Sequence, residues 1–320
     1  MRYDRKRNKG LGAQSPSAKE LPVPCKHCVW LVAYARISLR LVFCLSAGKI
    51  VLFTVTKNIE MEITMDYGLI GEKLGHSYSK DIHEMLADYT YDLCPLTKEE
   101  FKLFMEKHEF KAINVTIPYK QEVIPYLDEI DENAGAIGAV NTIVNKNGRL
   151  CGHNTDFSGF LYMLKKHNIS IEGKKCVVLG DGGASKAVVA VLKKLGAKEI
   201  IIVDIIKTAA AITYEECFKK HTDAEFIANT SPVGMFPKCD ASPIDLTKFP
   251  KCQAVADVIY NPLETKLVAQ AKELGMTGVN GLEMLVAQAL YAVEFFLDTT
   301  LDEAKIDEIY QKIYEDKKNG

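Results

Sequence analysis

The chain has 320 residues, enough for about two domains. It is 48% hydrophobic and 26% charged, with a formal net charge of −2, so it can bury a core and offers no basic stripe for nucleic acid. Its nine cysteines are odd in number and scattered. That is not the pattern of a secreted disulfide framework, and it indicates reduced thiols used as small hydrophobes in a cytoplasmic protein.

Residues 1–64 stand apart. They hold 11 Lys/Arg against 4 Asp/Glu, whereas the rest holds 29 against 38. A basic run, Arg5-Lys6-Arg7, leads through Leu21-Pro22-Val23-Pro24 to an apolar stretch from Val29 to Thr56. Arg36, Arg40 and Lys49 interrupt that stretch. Neither a bilayer-spanning helix nor a signal peptide tolerates them, so no membrane partner is expected. Cys25-Lys-His-Cys28 is half of a zinc motif without its second pair, and no metal is expected. The segment reads as an atypical extension outside the fold, with Met65 (or Met61) opening the organised sequence.

From Asp66 the chain alternates short β-type runs with helical patterns, which indicates an α/β protein. Tyr67–Ile70 reads as a strand and Lys80–Tyr89 as a helix. Ala112–Val115 reads as a strand, with Pro118 opening a helix at its favoured first-turn position. Val140–Val144 and Arg149–Cys151 flank Asn147-Gly148, a tight-hairpin signal. Phe157–His167 follows as a helix. A second unit opens with the continuously apolar strand Lys175–Leu179, then helix Ala184–Leu195 and strand Glu199–Val203. Glu225–Ala228 and Ala254–Val258 read as strands, and Leu263–Leu274, Leu282–Leu297 and Leu301–Glu315 as helices.

Gly180-Asp-Gly182-Gly183-Ala184-Ser-Lys-Ala187 sits between a buried strand and a helix. There, glycines let backbone N–H groups approach a pyrophosphate, and the helix terminus adds partial positive charge. Ser185 takes the place of the third fingerprint glycine, and Ala187 offers close helix–strand packing instead. Asp204 ends the next strand, 24 residues after Gly180. It suits a ribose 2′-hydroxyl, and equally a solvated strand end.

The first half is rich in polar side chains. Gly75-His-Ser77-Tyr-Ser79 presents two hydroxyls at alternate positions, suited to a carboxylate; Ser79 also reads as a helix cap. Asn114-Val-Thr116-Ile-Pro118-Tyr-Lys120 runs out of a strand. A lysine near a helix start calls for a compensating carboxylate. Asp156, in Asn154-Thr155-Asp156, is the natural partner, although any of these three residues also suits the start of a helix.

Together these motifs resemble the shikimate dehydrogenase family. The resemblance rests on HSYS at 76–79, NVTIPYK at 114–120, GAVNT at 138–142, NTD at 154–156 and GDGGASKA at 180–187. It extends through NTSPVGM at 229–235, YNP at 260–262 and GLEMLVAQA at 281–289, in that order. It implies an N-terminal α/β substrate domain and a Rossmann-type dinucleotide-binding domain, with C-terminal helices returning to the first domain. The implied boundaries are 65–155 plus 281–320 for the substrate domain and 156–280 for the Rossmann-type domain. By resemblance, Ser77, Ser79, Thr116, Asn141, Tyr260 and Gln288 bind substrate, and Lys120 and Asp156 form the catalytic pair. Gly180, Gly182, Gly183 and Ala184 approach the cofactor phosphates, Asp204 the ribose, and Met235 and Gly281 the nicotinamide. Met284, on an apolar helix, reads as core.

The implied activity is the reversible reduction of 3-dehydroshikimate to shikimate, in aromatic amino-acid biosynthesis. Its partners are a small-molecule substrate and, as an option the family leaves open, a second copy of the chain. The cofactor is NADP by family default. Many NADP-dependent members carry an arginine directly after the second Rossmann strand, where this chain has Ile205, so Asp204 and Ile205 lean toward NAD. The stretch from Asp204 to Asn229 also reads as short by one strand–helix excursion. An NAD-dependent quinate/shikimate dehydrogenase and a non-catalytic ligand-binding relative are the alternatives.

Overall fold

The computed structural model describes residues 30–34, 40–46, 49–55, 65–74 and 78–319. The chain divides into two compact units, Met1–Glu62 and Ile63–Gly320. In the first, β1 (Trp30–Tyr34), β2 (Arg40–Ser46) and β3 (Lys49–Val55) pair in sequence order as an antiparallel sheet. The β-branched and aromatic residues within 50–55 favour that extended pairing. Arg5-Lys6-Arg7 and Cys25-Lys-His-Cys28 lie outside the described residues.

The second unit is α/β and holds two six-stranded sheets. The first is assembled from β4 (Tyr67–Gly71), β5 (Asp92–Pro95), β6 (Ala112–Val115), β7 (Glu129–Ile130), β8 (Thr142–Lys146) and β9 (Arg149–His153). Its order is β5-β4-β6-β8-β9-β7, with β8 antiparallel to both neighbours. Helices α1 (Ser79–Leu86), α2 (Lys98–Lys107) and α3 (Glu132–Ile137) belong to this half. A capping box between Thr97 and Glu100 starts α2. Asn147 and Gly148 both adopt positive φ, 55° and 90°, and close the β8–β9 hairpin as expected.

After α4 (Thr155–Lys166) comes β10 (Lys175–Leu179), α5 (Gly183–Lys194), β11 (Glu199–Asp204), β12 (Ala211–Thr213) and α6 (Tyr214–Lys220). Then follow β13 (Phe226–Asn229), β14 (Ala254–Asp257), α7 (Lys266–Glu273) and β15 (Thr277–Val279). This sheet is wholly parallel, in the order β12-β11-β10-β13-β14-β15. That is the doubly wound order, with its switch point between β10 and β13. β12 and α6 occupy the stretch that reads as trimmed: the excursion is shortened rather than lost.

The chain closes with α8 (Leu282–Leu297) and α9 (Ala304–Asn319). Ala292 and Phe296 of α8 pack with Leu69, Tyr91, Ala112 and Val144, against the first sheet. On another side α8 packs on Ile82 and Leu86 of α1 and on Ile306, Ile309 and Ile313 of α9. Met284 lies in the core beneath the second sheet, with Phe157 and Phe160 of α4. The seam between α4 and α8 is tight because Gly159 has no side chain. A Cβ there would lie 2.6 Å from the Met284 carbonyl oxygen and 3.0 Å from Gln288 Cβ.

One expectation is corrected. Pro118 opens no α-helix: residues 117–123 form successive turns, followed by a short 3₁₀ segment at Ile124–Tyr126, and the Ile117–Pro118 peptide is cis. The Lys120 carbonyl accepts from the Val140 N–H at 2.8 Å, so it is committed to a strand-side contact rather than to a helical ladder. Lys120 therefore sits in a turn.

Among the described residues, no helix is long and apolar enough to cross a membrane, and no group of three or more His, Cys, Asp or Glu could hold a metal ion. Cys151, Cys176, Cys217 and Cys252 are buried free thiols, and Cys94 and Cys239 are half-buried.

Candidate active site

Strand β6 is buried throughout, yet its third residue is polar. Asn114 is satisfied by the sheet and by its neighbours: Oδ1 accepts from Tyr91 Oη at 2.7 Å, and Nδ2 donates to the Asn141 carbonyl at 3.2 Å and to Thr142 Oγ1 at 3.1 Å. Asn141 follows the same logic one layer further in. Its Oδ1 accepts from Thr155 N–H (2.8 Å) and Thr142 Oγ1 (3.0 Å), and its Nδ2 donates to Thr155 Oγ1 (3.1 Å). The amide oxygen is thereby turned into the protein, and one N–H of the amide is left for a ligand oxygen. Thr155 Oγ1 lies 3.4 Å from Gln288 Oε1. Two expected substrate residues, Asn141 and Gln288, are thus linked through Thr155, although they are far apart in sequence.

Asn154 caps α4 by accepting from Phe157 N–H at 3.2 Å. Asp156 falls in the first turn of that helix, where the helix dipole favours an anion. Its Oδ2 accepts from Lys120 Nζ at 2.6 Å. The two side chains, Lys120 and Asp156, are 15% and 12% exposed, so the pair is largely withdrawn from water but open on one side. Lys120 also touches the second half of the unit: Lys120 Cδ lies 3.6 Å from the point where a Gly183 Cβ would be. The ion pair and the glycine loop meet.

That loop leaves β10 at the switch point. Gly180 adopts φ 102°, which a side chain would strain, and a Cβ there would press on Thr230 and Ser231. Gly182 precedes α5 with no side-chain cap, and a Cβ on it would meet nothing within 4 Å. Gly182 thus leaves open space at a helix N-terminus, beside Gly183 and half-buried Ala184, which fits a dinucleotide pyrophosphate. Ala187 is fully buried, consistent with close helix–strand packing. Asp204, at the end of β11, accepts from Asp181 N–H through Oδ2 at 2.9 Å and from Ile206 N–H through Oδ1 at 3.3 Å. Beyond it Ile205 and Ile206 are 82% and 67% exposed.

The remaining expected residues are spread over neighbouring loops. Ser77 lies outside the described residues. Ser79 is buried and is the first residue of α1, so the cap position falls on Tyr78 instead. Half-buried Thr116 donates its N–H to the Ile70 carbonyl at 2.9 Å. Tyr260 makes an edge contact with Tyr78, the ring centroids 6.1 Å apart, and burial pushes its phenol pKa up. Met235 is exposed on the loop after β13. Gly281 has a packing reason of its own: a Cβ would lie 2.1 Å from the Val258 carbonyl oxygen. Sequence reasoning passed over Tyr91, Thr142 and Gly159. An asparagine in the otherwise apolar run Ala112-Ile113-Asn114-Val115 is the signal that points to the first two.

The buried carboxylate of Asp257 ties the C-terminal ends of β13 and β14 to the start of α7. It accepts from Asn229 Nδ2 (3.0 Å), Ile259 N–H (3.1 Å) and Thr265 Oγ1 (2.7 Å). Burial nevertheless pushes its pKa up to about 6.

Comparison with known proteins gives a consistent set. Residues 69–143 match the family described as "Shikimate dehydrogenase substrate binding domain". The chain is 37% identical over 271 residues to "Shikimate dehydrogenase (NADP(+))" of Clostridium perfringens, covering 77% of this chain and 97% of that protein. Among solved structures it is similar to a chorismate mutase/shikimate 5-dehydrogenase fusion protein from Clostridium acetobutylicum. There the TM-score is 0.76 at 40% identity, covering 81% of this chain and 100% of that one. It is also similar to the shikimate 5-dehydrogenase of Thermus thermophilus in complex with NADP(H) and shikimate. That match has a TM-score of 0.70 at 28% identity, over 78% of this chain and 99% of the other.

Proposed function

The chain belongs to the shikimate dehydrogenase family, and on that premise we propose that it reversibly reduces 3-dehydroshikimate to shikimate, a step of aromatic amino-acid biosynthesis. The observation that carries this reading is the Lys120–Asp156 pair at 2.6 Å, with the Lys120 stem against the glycine loop at Gly183. We take residues 65–155 and 281–320 as the substrate half and 156–280 as the dinucleotide half.

A nicotinamide, when bound, would supply or accept the hydride, and a proton joins or leaves the C3 oxygen with it. The chain's own residues do the rest. The Lys120 ammonium donates toward the C3 oxygen of the substrate and stabilises the negative charge that develops there as the carbonyl is reduced. Asp156 holds Lys120 by a charge-assisted hydrogen bond and fixes the direction of its remaining donors. Ser77, Ser79, Thr116, Asn141, Tyr260 and Gln288 bind the carboxylate and ring hydroxyls. Asn141 and Gln288 are oriented for this by Thr155, and Asn141 in turn by Thr142. Gly180, Gly182, Gly183 and Ala184 take the pyrophosphate, and Met235 and Gly281 flank the nicotinamide.

The carrier is NADP by family default. NAD is a second reading favoured by specific observations. Asp204 ends β11 with a carboxylate where the ribose is expected, Lys207 is engaged with Glu216, and the sequence holds no arginine after Arg149. A carboxylate accepts from a 2′-hydroxyl and repels a 2′-phosphate. A spectrophotometric assay with shikimate and each dinucleotide tests both points. Reduction of neither dinucleotide would refute the dehydrogenase reading, and the ratio of kcat/KM values assigns the carrier.

A further inference from the structure

Lys317 stands near the end of α9, far in sequence from every residue assigned above. Its Nζ donates to the Tyr260 carbonyl at 3.1 Å. It also lies 4.6 Å from the ring centroid of Tyr78 and 5.6 Å from that of Tyr260, so the ammonium is held against two aromatic rings. It is half-buried. Many of the chain's other lysines, among them Lys80, Lys111, Lys120, Lys166 and Lys175, have a carboxylate partner. Among the described residues, Lys317 is in no ion pair. Burial alone lowers its pKa, as expected of a cation that has lost water and gained no counter-ion.

The two rings that hold it belong to the substrate-binding segments of the proposed reading. Tyr260 is itself one of those residues, and Tyr78 directly precedes Ser79. The ligand expected there is a carboxylate, and the hydroxyls assigned to it are neutral. An ammonium has three donors, and the Tyr260 carbonyl takes one of them. We propose that Lys317 binds the carboxylate of the substrate and supplies its counter-charge, so that the C-terminal helix completes the binding site. This rests on the dehydrogenase reading above.

The test uses the full chain and its Lys317→Met and Lys317→Arg variants. Calorimetric titration with shikimate and with its methyl ester is combined with steady-state KM and kcat. Loss of one charged hydrogen bond is expected to weaken shikimate binding and raise KM about 10- to 100-fold in Lys317→Met, with kcat retained. Lys317→Arg recovers most of the loss, and the ester binds wild type and Lys317→Met alike. An unchanged Kd for shikimate in Lys317→Met overturns the proposal. So does an equal loss for acid and ester, which would mark a packing role. A wild-type chain that neither binds nor oxidises shikimate removes the functional reading and this inference together. Wild-type turnover with an unaffected variant removes this inference alone.

Discussion

At the scale of single residues, the site depends on charges whose partners are few and fixed. Lys120 has a carboxylate at 2.6 Å and a glycine against its stem, so its charge is tied to the Asp156 pair. Lys120→Ala is expected to lower kcat by ~10²–10⁴-fold, the usual contribution of a positioned acid–base group, while the far-ultraviolet circular dichroism stays native. Near-normal turnover would remove Lys120 from the chemistry. Asp257 gives a prediction of a different kind. Its pKa, about 6, is raised above the unfolded carboxylate value. The folded chain therefore holds this proton more tightly, and the stabilisation is fully present below the unfolded pKa. It is lost as pH rises through about 6. The expected loss is on the order of 2 kcal/mol from pH 4 to pH 6.5. Asp257→Asn should abolish that component, so its melting temperature relative to wild type rises across the same window. A constant difference at all pH values contradicts the assignment.

At the scale of elements, α4 and α8 position the site. Asp156 and Thr155 start α4, Gln288 lies on α8, and Gly159 sets the distance between the two helices. Gly159→Ala places a methyl group 2.6 Å from a backbone oxygen that has no rotamer to escape into. The helices must then separate, at a cost of about 1–3 kcal/mol. Because Gln288 moves with α8, KM for shikimate should rise as well. A variant with unchanged urea midpoint and KM would show that the seam is looser than its geometry implies. How much of these elements the sequence reveals depends on where their hydrogen bonds go. Strand β10 and the hairpin at Asn147-Gly148 follow from local pattern, because their residues admit little else. The segment after Pro118 does not, because the Lys120 carbonyl is claimed by Val140, a partner 20 positions away. Of the site, the residue types of Lys120, Asp156 and the glycine loop are legible from their motifs. The orientation of Asn141 is not, since it is set by Thr155, 14 positions on, as well as by adjacent Thr142.

At the scale of the whole molecule, Ile63–Gly320 is a compact unit with its own cores. Met65 is buried in one of them, beside Ile70 and Phe110. The relatives cover about three quarters of this chain and nearly all of their own length. A chain that begins at Met65 is therefore expected to keep the melting temperature and the kcat/KM of the full chain. A fall in either measurement would give residues 1–64 a part in stability or catalysis.

The sequence by itself determined the α/β class, the glycine loop and the polar groups available to the site, because periodicity and residue chemistry are local properties. Asp204 and the lack of any arginine after Arg149 were equally plain without coordinates. Only the tertiary structure decided that Lys120 reaches Asp156, that Thr155 links Asn141 to Gln288, and that Lys317 rests on Tyr78 and Tyr260. The physical reason is the same in each case. These contacts join residues from 14 to 239 positions apart, and their geometry is fixed by the packing of helices and sheets rather than by neighbours along the chain.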